Sequence, residues 1–178
     1  MKRIVASAVT WLVCTSVAIS SEPTADDYLN FFKPLIGEWT AKITVGEKAG
    51  QGTFSCRLSP TKRCLVWYGA SNLPLPNTHS IDGYDPVAKK WKGFAFAADG
   101  SHRVTMYQAA DADSLKVDKA EFKCEATEAK ADGEVVKWRW QTTFILGRDT
   151  CKVLYTALAD SEGEKAPDVE FIYERKRK

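Results

Sequence analysis

From residue 37 to residue 176 the chain alternates apolar and polar side chains in short runs, and this period of two constrains the fold more than any other feature. Successive side chains of an extended strand point to opposite faces, so alternation marks strands with one face buried and the other in water. The clearest run sets Val136, Trp138, Trp140, Thr142 and Phe144 against Lys137, Arg139, Gln141 and Thr143. Strands are expected over residues 37–47, 50–58, 63–70, 78–84, 90–97, 102–108, 114–127, 134–146, 150–159 and 168–176. Between them stand turn signals: Gly46 and Gly50, Ser59-Pro60, Asp85-Pro86, Asp99-Gly100, Asp132-Gly133, Gly147-Arg148-Asp149 and Glu162-Gly163. Gly and Asp accept the positive φ that tight hairpins need. In a chain of 178 residues with no internal repeat, this predicts one all-β domain. The expected architecture is an antiparallel up-and-down β-barrel of about 8 to 10 strands, more economical than a sandwich because next-neighbour pairing suffices.

The phase of the alternation assigns the interior. The last strand puts Val169, Phe171, Tyr173 and Arg175 on one face and Glu170 and Glu174 on the other, and Val153, Tyr155 and Ala157 line the same space from the strand before it. From the first half, Phe54, Cys56 and Leu58 are expected to face inward, together with Cys64, Val66 and Tyr68. One helical periodicity exists: Tyr28, Leu29, Phe31, Phe32 and Leu35 predict a short helix capped by Thr24 ahead of the first strand.

Met1, Lys2 and Arg3 precede an uncharged stretch from Ile4 to Ser20 that ends in Ala18-x-Ser20. That profile predicts a signal peptide over residues 1–20, a mature domain over residues 21–178, and a periplasmic or secreted location. The apolar run is short for a bilayer span of roughly 20 residues, which weighs against a retained anchor. Val13 before Cys14 weighs against lipidation. Once Lys2 and Arg3 leave, basic and acidic side chains balance, so the surplus that a nucleic-acid binder carries is missing. The closing Arg175, Lys176, Arg177 and Lys178 read as a solvated terminus. Of the remaining cysteines, Cys56 and Cys64 flank a turn near Pro60 and are expected to form a disulfide. Cys124 and Cys151 are expected about two strand spacings apart, or ~9.5 Å, beyond the reach of a bridge. No C-x-x-C stands in the chain, so no metal site is expected.

The string Leu35-Ile36-Gly37-Glu38-Trp39, a Gly-x-Trp entering the first strand after a short helix, resembles the signature of lipocalin-like proteins. In that superfamily the Trp closes one end of the barrel by stacking on an Arg near the end of the last strand, so the resemblance implies a structural closure of Gly37, Trp39 and Arg175. Ile81-Asp82-Gly83-Tyr84-Asp85, Lys89-Lys90-Trp91 and Tyr173-Glu174-Arg175-Lys176 are further similar to uncharacterised bacterial lipocalin-like families of unknown function. The chain departs from true lipocalins in their second and third signature regions, so no ligand class is inherited.

These residues favour a barrel that sequesters or transports a small hydrophobic ligand, its lumen lined by Trp138, Trp140, Tyr155, Phe171, Tyr173 and Tyr68, with residues 71–77 as a lid. Two alternatives stand beside this reading. One is a barrel filled by its own side chains that serves as a cell-envelope interaction module. The other is a haem-binding barrel of nitrobindin type, in which His79 or His102 would be the axial ligand, although neither has a diagnostic context. No cofactor is expected. Catalysis has no support either: G-x-S-x-G and H-E-x-x-H are missing, and Asp82 and Asp85 in Asp82-Gly83-Tyr84-Asp85-Pro86 read as turn chemistry.

Overall fold

A computed structural model of the chain describes residues 21–73, 77–158 and 167–176; the expected leader over residues 1–20 lies outside them, as do residues 74–76 of the expected lid. The strands are β1 (Gly37–Val45), β2 (Lys48–Leu58), β3 (Cys64–Ser71), β4 (Thr78–Asp85), β5 (Lys90–Ala97), β6 (His102–Ala109), β7 (Lys119–Ala129), β8 (Val135–Leu146), β9 (Thr150–Ala157) and β10 (Val169–Arg175). Each pairs antiparallel with the next, and β10 pairs back onto β1 from Trp39↔Arg175 to Val45↔Val169, closing a ten-stranded barrel. The fold is the all-β barrel that the alternation predicts. Closure leaves no free sheet edge.

β7 begins later than the alternation suggests. Asp111 captures Ser114 through a Ser114 N–H bond to Asp111 Oδ1 at 2.7 Å and a Ser114 Oγ bond to the Asp111 carbonyl at 2.6 Å. The chain therefore turns through a short 3₁₀ segment, Asp113–Leu115, before the strand starts.

Helix α1 (Ala25–Phe32) runs into a 3₁₀ turn, Lys33–Leu35. Thr24 caps it with a reciprocal box: Asp27 N–H donates to Thr24 Oγ1 at 3.3 Å and Thr24 N–H to Asp27 Oδ2 at 2.8 Å. Its apolar stripe enters one end of the barrel, where Tyr28, Phe31, Phe32 and Leu35 are buried against Leu65, Trp91, Phe122 and Phe144. Phe31 and Phe32 each lie 5.5 Å from the Phe122 ring centre. The backbone N–H of Ala109 donates to Tyr28 Oη at 3.3 Å and fixes the plug to β6. No described helix is long and apolar enough to cross a membrane.

Register corrects two expectations. Cys56 pairs with Trp67 and Leu58 with Leu65, so Leu65 and Trp67 share the inner face with Cys56, while Cys64, Val66 and Tyr68 point outward. The reason lies in the run Cys64-Leu65-Val66-Trp67-Tyr68, which is apolar at every position, so that only pairing with β2 sets its phase. The expected Cys56–Cys64 disulfide is overturned by the same geometry: one thiol faces in, the other out, and both are free. Cys124 and Cys151 are also free thiols.

Candidate functional site

The closed end is built around Trp39, which is 1% exposed and donates its indole N–H to the Leu35 carbonyl at 2.9 Å. The Arg175 guanidinium sits 4.2 Å from the Trp39 ring centre. It also donates to the Ile36 carbonyl at 2.9 Å and the Pro34 carbonyl at 2.7 Å. Arg175 thus covers the indole face and satisfies carbonyls at the end of the plug, a cation–π contact joined to charge-assisted hydrogen bonds. Gly37 makes room for it. Its φ is +147°, and a Cβ there would lie 2.5 Å from Arg175 Nη1.

The opposite half of the barrel has no plug. Its inward positions are small on several strands: Gly52, Gly69, Ala95, Ala97, Ala126 and Ala157. Against this thin wall stand Trp140, Tyr155 and Phe171, inward and half-buried, with Trp138 nearer the open end at 36% exposure; Trp67 and Tyr173, also inward and half-buried, stand closer to the plug, Trp67 6.4 Å from the Phe32 ring. Trp140 lies 6.5 Å from Tyr155, Tyr155 lies 5.7 Å from Phe171, and Phe171 stacks on Tyr173 at 5.7 Å. Burial pushes the hydroxyls of Tyr107, Tyr155 and Tyr173 above the usual phenol range, yet each of these residues keeps accessible surface. These side chains pack against the core on one side and keep part of their surface accessible on the other.

Of the expected lumen residues, Trp138, Trp140, Tyr155, Phe171 and Tyr173 face this space. Tyr68 does not: it pairs with Ser55 and His79 on the outer wall, 4.7 Å from the His79 ring. His79 and His102 both face outward beside Phe96, which leaves the lumen without an imidazole and removes the residue that axial haem ligation would need.

Three inward polar residues escape the sequence reading. Asp82 stands inside β4, paired with Leu65 and Gly93, and is 8% exposed; Asp85 alone performs turn chemistry, accepting from the N–H groups of Val87 and Ala88. Burial pushes the Asp82 carboxyl up to about 7, opposed by smaller lowering effects of Ser80, Trp67 and Arg103. Arg103 faces inward from β6, paired with Ala95 and Glu128, its guanidinium 5.7 Å from the Trp140 ring centre. Glu128 accepts the Trp138 indole N–H at 2.9 Å. They were hidden because β4, β5 and β6 invert the usual pattern. Ile81, Phe94, Phe96 and Val104 lie outside, and Ser80, Asp82, Gly93, Ala95, Arg103 and Thr105 inside.

The thiols carry no signature of a nucleophile. Burial pushes Cys56, Cys124 and Cys151 up to about 12, far from the thiolate range that reactivity requires. No group of His, Cys, Asp and Glu among the described residues could hold a metal ion.

No family model and no curated protein sequence matches the chain. Among solved structures it is similar to Rv2717c from M. tuberculosis, with a TM-score of 0.61 at 12% sequence identity over 84% of this chain and 97% of that one. At that identity the likeness shows a shared fold.

Proposed function

We propose that this chain is an exported, lipocalin-like barrel that sequesters or carries a small, largely apolar molecule in its unplugged half. One observation carries the reading: the inward aromatics toward the open end, Trp138, Trp140, Tyr155 and Phe171, keep accessible surface, whereas Trp91 and Phe122 against the plug are 1% and 0% exposed. Ligand sites are concave and mostly apolar, with few polar groups to set orientation, and this chamber has that composition. Sequestration needs no chemistry. The lipocalin-like assignment draws on Gly37, Trp39 and Arg175 at the closed end, and export on the leader profile of residues 1–20.

The neutral probe N-phenyl-1-naphthylamine tests the reading. Its emission should rise on addition of the protein and titrate to saturation, and Trp140→Ala should weaken it by about tenfold, the loss of a stacked aromatic contact. A flat titration with wild type would establish the filled barrel instead. For export, the test is the mass of protein recovered from the periplasm or medium of its own cells, which should correspond to a start at Ser21.

A further inference from the structure

The chamber reading leaves open how a guest would be oriented, and the inner face of β4 to β6 supplies an answer that rests on that reading. Arg103 makes no hydrogen bond or ion pair with any described residue; its neighbour is the Trp140 face. Arg103 is exposed toward the open end, and its permanent charge and five donors are therefore accessible to an anion entering the barrel mouth. The register sets Glu128 beside it, yet the two form no ion pair, and Glu128 Oε2 accepts the Trp138 indole N–H. One row deeper, Asp82 Oδ1 and Trp67 Nε1 are buried with no hydrogen-bond partner. Ser80 and Trp67 lie near enough to influence the carboxyl without completing a bond to Oδ1. Buried polar atoms in native proteins are almost always satisfied, so Asp82 Oδ1 and Trp67 Nε1 on one inner face call for a polar partner; the third such atom, Trp91 Nε1, lies against the plug. The wall beneath is bare: a Cβ on Gly93 would lie 2.9 Å from Asp82 Oδ1, and Ala95 and Ala97 continue the strand.

We propose that the guest is an amphipathic monocarboxylic acid, its carboxylate held by Arg103 with the Asp82 carboxyl and the Trp67 indole N–H beside it, its apolar body lying against Trp140, Tyr155 and Phe171. Arg103 binds the two oxygens side by side, the geometry for which a guanidinium is built. In mildly acidic solution Asp82 is protonated, so it presents an O–H donor to a carboxylate instead of a repelling charge. Trp67 adds a second neutral donor.

The test compares dansylaminoundecanoic acid with its methyl ester, which shares the apolar body and lacks the charge, each titrated by fluorescence into the full folded protein at mildly acidic pH. The acid should bind about tenfold to a hundredfold more tightly than the ester, the range for a charge-assisted bond. Arg103→Gln should bring the acid down to the level of the ester and leave the ester unchanged, while Arg103→Lys should keep part of the preference. Equal affinity of acid and ester for wild type, or a preference that survives Arg103→Gln, would overturn the carboxylate assignment and leave the chamber reading intact. Binding of neither probe would overturn both. Should Arg103→Gln fail to fold by circular dichroism, the wild-type acid-to-ester ratio and the Lys variant decide.

Discussion

The two halves of the barrel are built from the same ten strands and differ in what their inward side chains meet. Toward the plug, Leu65, Trp91, Phe122, Phe144 and Val153 meet Tyr28, Phe31, Phe32 and Leu35 from α1 and its 3₁₀ turn, and nearly all of that surface is buried. Toward the open end, no helix caps the barrel among the described residues, and glycines and alanines share the inner face with aromatics that keep accessible surface. A barrel of eight strands is just wide enough to be filled by its own side chains, and ten strands enclose more. The plug therefore does what the strands cannot: it completes a core on one side. Buried apolar contact, and with it stability, concentrates in that half.

The comparison can be broken most directly by truncating one core residue. Phe122→Ala should cost about 3–5 kcal/mol in urea unfolding, the range for a fully buried aromatic. A loss below about 1 kcal/mol would mean that the plugged half is not a packed core. Next comes Asp82, whose burial in the native state raises its pKa from 3.8 to about 7. Between those values the unfolded chain has released the proton and the native chain retains it. Stability should therefore fall by a few kcal/mol as pH rises from about 4 to about 7, then level off. Asp82→Asn should flatten that slope, and denaturant titrations across the interval measure it. Enlarging side chains sharpens the contrast: Ala120→Leu, beside the plug, should cost about 1–3 kcal/mol by overpacking, whereas Ala95→Leu should cost little and weaken N-phenyl-1-naphthylamine binding. Thr24→Ala removes the helix cap and should cost about 1 kcal/mol. The smallest effect is expected from dithiothreitol, which should leave the melting temperature unchanged because no disulfide holds the fold. In the native protein a thiol reagent should label Cys64, half-buried on the outer wall, ahead of Cys56, Cys124 and Cys151, which should react on unfolding.

Legibility in the sequence tracked how cleanly each strand separates its faces. β8 and β10 alternate bulky apolar with charged side chains, and Trp138, Trp140, Phe171 and Tyr173 were placed inward from that pattern alone. β3 offers apolar residues on both faces, and the choice of Tyr68 over Trp67 went wrong there. β4 to β6 carry their larger apolar side chains outside, so alternation reads Asp82 as a turn residue and gives no sign that Arg103 faces inward. With polar and small residues on the inner face and apolar ones on the outer, periodicity alone reads such strands inside out.

The sequence by itself determined that the chain forms strands, how many, where most of them turn, and that a short capped helix stands ahead of them. Each of those follows from local physics: side-chain period, the φ values that Gly and Asp allow, and a cap reaching three residues along. Only the tertiary structure decided which face of an ambiguous strand looks inward, that Cys56 and Cys64 point apart, and that Asp82, Arg103 and Trp67 share the inner face of the barrel. Those are properties of register and closure, set by pairing between residues distant in the chain, and local alternation has no access to them.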